Sequence, residues 1–151
     1  MKILIVEDQP EKRDQIKDFI KDYISFETII KDKESLRGAL KEIITNSDYE
    51  LILLDMSMPN FDPSVDDPTD CSPESFAGKE LLEQLELRKI QIPVIVITQY
   101  SSFEGGTITL DDLSNDLKNK YGNHFLGAVY FNSSSDSWKE ELQILLIDYH
   151  E

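Results

Sequence analysis

Three short runs of consecutive apolar residues constrain the fold of this chain most. They comprise residues 3–6, 51–54 and 94–97. Unbroken runs of Ile, Leu and Val, as opposed to alternating ones, are typical of strands buried on both faces of a parallel sheet. Each run leads into polar residues, namely Glu7 and Asp8, Asp55 and Thr98. Because the carboxyl ends of parallel strands share one edge of a sheet, we expect these side chains to lie close together.

The segments between these runs repeat apolar residues with a helical period. Pro10 opens the first predicted helix, which carries one apolar stripe from Ile16 to Ile24. Further stripes predict helices at residues 34–46, with Asp32 as N-cap, and around residues 81–85, 110–121 and 138–149. Two more strands are expected at residues 27–30 and 127–131. Strands alternating with helices predict an α/β fold: a doubly wound, five-stranded parallel sheet, flavodoxin-like, in the order 2-1-3-4-5 with helices on both faces.

Length and charge limit the classes of function. With 151 residues, the chain is expected to form a single domain, residues 1–151. Its formal net charge of -15 would repel phosphate backbones, so direct binding to nucleic acid is not expected. The apolar runs are too short to cross a bilayer, and no signal peptide precedes the first one. The single cysteine, Cys71, cannot form an internal disulfide. Together these features favour a cytoplasmic domain with no membrane contact.

Two segments do not fit the alternation of strands and helices. Residues 60–77 contain three prolines and five acidic residues but no Lys or Arg. Proline at this density prevents a continuous helix or central strand, so a long loop is predicted. Residues 99–109, which include Gly105 and Gly106, predict a second loop. Both loops follow strand ends, which places them at the same edge of the sheet as Asp55 and Thr98.

Three carboxylates are expected to converge at this edge. In the predicted strand order, Glu7 and Asp8 end a strand next to the one that Asp55 ends. Unpaired carboxylates at close range repel one another, which suggests a compensating cation. A site made of oxygen ligands with room for water suits Mg²⁺. Taken singly, each acid could equally be a solvated loop residue or, for Asp8, a cap of the helix that Pro10 opens.

Four sequence segments occur in an order that matches a known family. They are ILIVEDQP at residues 3–10, followed by Arg13, LILLDMSMP at 51–59, IPVIVIT at 92–98 and, less closely, LGAVYF at 126–131. Each motif alone has low specificity, but the ordered set covers nearly the whole chain. It resembles the receiver domain of response regulators in two-component signalling.

The resemblance implies a role for each residue at the carboxyl edge. Asp55 would accept a phosphoryl group from a histidine kinase or phosphotransfer protein, and Thr98 would donate its hydroxyl to a phosphoryl oxygen. The implied Mg²⁺ ligands are Glu7, Asp8, Asp55 and the backbone carbonyl of Ser57. Tyr130 stands at the position of the family's switch aromatic residue. A cation that aligns the reactants and neutralises phosphoryl oxygens is physically suited to such a transfer.

The sequence departs from the family pattern in two places. The family has a lysine after the fifth strand, where this chain has Ser133, and no Lys or Arg lies between Lys120 and Lys139. We therefore expect the site to lack the family's cation, since a serine can donate a hydrogen bond but supplies no positive charge. The glycine that normally opens the third helix soon after Pro59 corresponds here to Gly78, so the acidic loop is an insertion.

These features leave three functional hypotheses. The first is a stand-alone atypical receiver without an output domain, which is phosphorylated on Asp55 and acts on a separate downstream protein. The second is a pseudo-receiver, a binding module that works without phosphorylation, because Ser133 replaces the lysine. The third is a Mg²⁺-dependent phosphatase with an aspartyl-phosphate intermediate, which would need a second acid where Ser57 stands. We therefore expect no enzyme activity beyond self-phosphorylation and self-dephosphorylation.

Overall fold

A five-stranded parallel sheet forms the centre of the molecule. The structure, a computed structural model, describes residues 1–24, 27–56, 77–99, 102–103 and 108–150. The strands of the sheet are β1 (Lys2–Val6), β2 (Ile29–Lys33), β3 (Leu51–Leu54), β4 (Val94–Thr98) and β7 (Phe125–Tyr130). They lie in the spatial order β2-β1-β3-β4-β7, and every neighbouring pair is parallel. The predicted fold class and strand order are confirmed.

Helices connect the strands and cover both faces of the sheet. In the described residues they are α1 (Pro10–Tyr23), α2 (Leu36–Thr45), α3 (Ala77–Leu87), α4 (Leu110–Tyr121) and α5 (Ser137–His150), with a 3₁₀ turn at Gly122–His124. As expected, Pro10 begins α1, where its missing N–H costs no helical hydrogen bond. None of these helices combines the length and the apolar character needed to span a membrane.

Successive side chains of the central strands enter two separate cores, which explains why the strands are apolar without alternation. Leu4 and Val6 of β1 face the core covered by α2, α3 and α4. Ile3 and Ile5 face the core covered by α1 and α5, in which Trp138 is a large, fully buried side chain. A strand buried on both faces needs apolar residues at every position.

Three predicted boundaries differ from the structure: those of β2, of the start of α2 and of β7. The edge strand β2 lies at Ile29–Lys33 and not at residues 27–30. The prediction missed its second half because the charged side chains there are partly exposed and form no apolar run. Asp32 therefore belongs to a strand, where it pairs with Lys17, and Ser35 is the N-cap of α2, accepting a hydrogen bond from the Gly38 N–H at 3.0 Å. The strand predicted at residues 127–131 is β7, which begins two residues earlier and ends one residue earlier, at Tyr130.

The segments predicted as loops have different outcomes. Within residues 99–109, two short strands, β5 (Ser102–Phe103) and β6 (Ile108–Thr109), pair antiparallel, so this segment is not wholly a loop. Residues 60–76 of the acidic segment lie outside the described residues. The chain leaves the sheet at Met56 and is again beside it at Gly78, whose N–H donates to the Met56 carbonyl at 3.0 Å.

Candidate acidic site at the carboxyl edge of the sheet

Two neighbouring strands bring the three predicted carboxylates together. Glu7 and Asp8 follow β1, Asp55 follows β3, and the Asp55 N–H donates to the Val6 carbonyl at 3.0 Å. One carboxylate oxygen from each residue lies within 4.8 Å of the other two. Glu7 and Asp55 are buried, with 1% and 4% exposure, whereas Asp8 is half-buried. The predicted convergence is therefore present, with one carboxylate open to solvent.

A buried lysine from α1 also enters this site. Lys12 is only 2% exposed, and its Nζ lies 2.5 Å from Glu7 Oε2 and 3.5 Å from Asp55 Oδ1. The same ammonium donates a hydrogen bond to the Ile97 carbonyl at 2.8 Å and lies 5.7 Å from the centre of the Phe131 ring. The family's lysine after β7 is absent, as expected, but the site still contains a cation, because Lys12 supplies one from the first helix.

Sequence reasoning missed Lys12 although the sequence carries a signal for it. The family pattern places its cation at the position of Ser133, and the neighbouring residues contain no Lys or Arg. Lys12 lies four residues before Ile16 and eight before Ile20, and all three are buried. A lysine on the apolar stripe of a helix is unusual, since lysine is almost never fully buried unless it is paired. That position indicates a buried partner of opposite charge.

The site carries an excess of negative charge. Burial raises the pKa of Glu7 to about 8, Lys12 opposes this effect, and the neighbouring Asp55 adds to it. With all three carboxylates ionised, one ammonium would leave two negative charges, and a bound divalent cation would balance these charges and favour the ionised form of Glu7. The oxygen ligands and the solvent-accessible Asp8 fit Mg²⁺, which prefers carboxylates and keeps several waters. The described residues thus match the predicted metal site, and Ser57 lies outside them.

The remaining predicted residues surround the acidic cluster. Thr98 ends β4 and is fully buried, and it is the register partner of Tyr130 in β7. Tyr130 is 41% exposed. Lys12, which contacts the cluster, also lines an open cavity of about 350 Å³ together with Gln99, Tyr130 and Ser133. Ser133 is exposed, as a residue at the mouth of this cavity should be.

Comparison with known proteins identifies relatives of similar length. No family model matches the sequence. An uncharacterized protein, y4jR, from Sinorhizobium fredii is 29% identical over 147 residues, with 95% of each chain covered. The Detocs response regulatory protein DtcB from Enterobacter cloacae is 28% identical over 144 residues, covering 94% of this chain and 95% of DtcB.

Solved structures with a similar fold include receiver domains and response regulators. The signal receiver domain of a Luxo-type repressor protein from Vibrio parahaemolyticus has a TM-score of 0.63 and 24% identity, covering 97% of this chain and 90% of that one. The Mn²⁺-bound form of the response regulator Rcp1 also has a TM-score of 0.63, with 17% identity, covering 95% and 90%. The resemblance inferred from the sequence is confirmed: the chain has the fold of a response-regulator receiver domain of two-component signalling.

Proposed function

We propose that this chain is a receiver domain in which Asp55 accepts a phosphoryl group while Glu7, Asp8 and Asp55 bind Mg²⁺. The observation that carries the proposal is the convergence of these three carboxylates within 4.8 Å at the carboxyl edge of a receiver-type sheet. Asp55 is the member that directly follows the central strand β3. The backbone carbonyl of Ser57 completes the proposed ligand set. The Mn²⁺ bound by Rcp1, which has the same fold, is consistent with a divalent cation.

The chemistry proposed for Asp55 is a nucleophilic displacement at phosphorus. An oxygen of its carboxylate forms a bond to the phosphorus of the donor, a phosphohistidine of a kinase or phosphotransfer protein. The phosphorus–nitrogen bond breaks, and the leaving imidazole keeps the electron pair. Bound Mg²⁺ would supply charge neutralisation for the carboxylate and the phosphoryl oxygens. Asp55 is buried, and electrostatic interactions are stronger in such a low-dielectric environment than in water. The attraction between the cation and the carboxylate would therefore be strengthened.

Thr98 and Tyr130 are proposed to transmit the change at Asp55. Thr98 lies at the end of the neighbouring strand β4, where its hydroxyl would donate to a phosphoryl oxygen. Its register partner Tyr130 is partly exposed, so a shift of Thr98 can alter a surface that another protein contacts. The output is thus proposed to be a protein–protein contact with a downstream target in the cytoplasm. Catalytic turnover of an external substrate is not proposed.

One observation favours a second candidate function. Ser133 is exposed and provides no positive charge at the position where receivers carry lysine. A domain that had lost the ability to bind a phosphoryl group would retain the same fold and act as a pseudo-receiver through its surface alone. The buried Lys12 weighs against this alternative because it brings a positive charge within 3.5 Å of Asp55.

Phosphorylation by a small donor tests the proposal. The wild-type protein is incubated with Mg²⁺ and acetyl phosphate, and intact mass spectrometry measures the gain of a phosphoryl group. We expect the wild-type protein to gain one group, the Asp55→Asn variant to gain none, and the Asp111→Asn variant, changed at an exposed aspartate in α4, to behave as wild type. Absence of any gain in the wild-type protein, with and without Mg²⁺, would favour the pseudo-receiver.

A further inference from the structure

Lys12 and Ser133 meet at the same cavity although they are far apart in the sequence. Both line the open cavity of about 350 Å³, together with Gln9, Gln99, Tyr130 and Phe131. Lys12 is a buried lining residue and Ser133 is an exposed one. A lysine at position 133 would therefore start from the wall of a cavity that Lys12 also lines.

The ammonium of Lys12 joins the ends of three sheet strands. It contacts Glu7 after β1, Asp55 after β3 and the Ile97 carbonyl in β4, at 2.5, 3.5 and 2.8 Å. Removing a lysine charge from water is costly, and a fully buried lysine is rare without paired partners. An ammonium has three N–H donors, and the contact with Asp55 is the longest of the three. This third contact is an ion pair with the residue at which new negative charge would arrive.

We infer that Lys12 is the phosphoryl-binding cation of this domain and takes the role of the lysine that Ser133 replaces. The inference rests on the proposed phosphorylation of Asp55. Its ammonium donates a hydrogen bond to one oxygen of the phosphoryl group on Asp55 while keeping its contact with the Ile97 carbonyl. Lys12 forms no covalent bond in this step. The positive charge is thus supplied by α1 and not by the segment after β7.

Three variants separate this role from a purely structural one. Lys12→Met keeps the length and apolar stem of the side chain and removes its charge. Lys21→Met makes the same change at an exposed position of the same helix and serves as the matched control. The double variant Lys12→Met with Ser133→Lys removes the charge at position 12 and places a positive charge at position 133, which lines the same cavity. Far-UV circular dichroism and amide NMR spectra verify the fold of each protein.

Two readouts are measured for every variant: the rate of phosphorylation by acetyl phosphate at saturating Mg²⁺, and the affinity for Mg²⁺ alone. We expect Lys12→Met to lower the rate about 100-fold, the size of effect seen when one preorganised donor to a developing charge is lost. Its affinity for Mg²⁺ should stay equal or rise, because a positive charge next to the carboxylates has been removed. Ser133→Lys should restore at least a part of the rate, about tenfold. Lys21→Met should match the wild-type protein in both readouts.

Other results would overturn the inference in distinguishable ways. If Lys12→Met is phosphorylated at the wild-type rate, Asp55 is a phosphoryl acceptor but Lys12 is not its cation. If Lys12→Met loses both Mg²⁺ binding and phosphorylation and Ser133→Lys restores neither, Lys12 only holds the carboxylates in place. If the wild-type protein takes up neither a phosphoryl group nor beryllofluoride, the proposed function itself fails and this inference fails with it.

A measurement on the wild-type protein decides the matter if Lys12→Met does not fold. The ¹⁵Nζ signal of Lys12 is recorded by NMR with Mg²⁺, before and after beryllofluoride, a mimic of the phosphoryl group, is added. We expect this signal to shift while that of Lys21 does not. An unchanged Lys12 signal at saturation with beryllofluoride would overturn the inference.

Discussion

Replacing Gly78 by alanine tests how the end of the acidic insertion packs against β3, here called the acceptor strand because Asp55, the proposed phosphoryl acceptor, follows it. A Cβ at this position would lie 2.6 Å from the Asp55 carbonyl oxygen and 2.9 Å from Met56 Cα. Both are backbone atoms, which cannot move aside by rotating about a side-chain bond. Either α3 or the end of β3 must therefore shift by several tenths of an ångström.

The expected cost follows from two opposing effects. Forcing an extra methyl group into a packed site costs about 1–3 kcal/mol, and the Gly78–Met56 backbone hydrogen bond of 3.0 Å is strained at the same time. Alanine favours a helix over glycine by at most about 1 kcal/mol, and less in the first turn. We therefore expect Gly78→Ala to lower the free energy of unfolding by about 1–3 kcal/mol, where each kcal/mol corresponds to about 2–4 °C in Tm for a chain of this size.

Gly127→Ala is the matched control. Its Cβ would meet only the end of the Leu145 side chain, with Cδ2 at 2.8 Å, and that side chain can rotate away. Its cost should stay below about 1 kcal/mol. Urea unfolding followed by circular dichroism measures both variants, and the acetyl phosphate assay shows whether a shifted Asp55 is also a slower acceptor. Equal stability of the two variants would show that the close approach of Gly78 to the acceptor strand is wrong.

Three other substitutions test separate parts of the structure. Asp8→Asn should weaken Mg²⁺ binding about tenfold, which is 1.4 kcal/mol, with little change in fold stability because Asp8 is half-buried; isothermal titration calorimetry measures this, and an unchanged affinity would remove Asp8 from the ligand set. Trp138→Ala should lower the free energy of unfolding in urea by about 3–5 kcal/mol, since Trp138 is 1% exposed and its ring centroid lies 5.0 Å from that of Phe131. A loss below about 1 kcal/mol would contradict this packing. Tyr49→Phe should cost about 1 kcal/mol at pH 7 by removing the 2.7 Å hydrogen bond to Glu42. Burial, followed by this bond, raises the pKa of Tyr49, so the unfolded chain releases the phenol proton first and wild-type stability falls above pH 10. The difference between the two proteins should therefore narrow between pH 10 and 11, and a constant difference would contradict the raised pKa.

The parts of the fold that could be predicted from sequence are those with a dense apolar signal. The strand at Leu51–Leu54 has the predicted bounds because all four of its side chains are buried between two layers of helices. The edge strand β2 was misplaced because Lys31, Asp32 and Lys33 give it no apolar pattern. Its side chains are instead held by charge, through the pairing of Asp32 with Lys17.

The candidate site was predictable only as far as it follows strand ends. Glu7 and Asp55 each come directly after an apolar run and Asp8 comes one residue later, so strand order is enough to bring them together. Lys12 reaches the same site from the first turn of α1, and its partners Asp55 and Ile97 are distant in sequence. Such a contact depends on which face α1 turns toward the sheet. The apolar stripe of α1 encodes that face, whereas the residues around Ser133 carry no information about it.

The central claim is that Asp55 carries a phosphoryl group in a Mg²⁺-dependent site. The most direct test is a titration with beryllofluoride, which mimics the aspartyl phosphate without being lost by dephosphorylation, followed by amide NMR with and without Mg²⁺. We predict saturable shifts that require Mg²⁺, that include residues near Asp55 and Thr98, and that vanish in Asp55→Asn. Shifts with Mg²⁺ alone and none on adding beryllofluoride would contradict the claim and identify the domain as a pseudo-receiver.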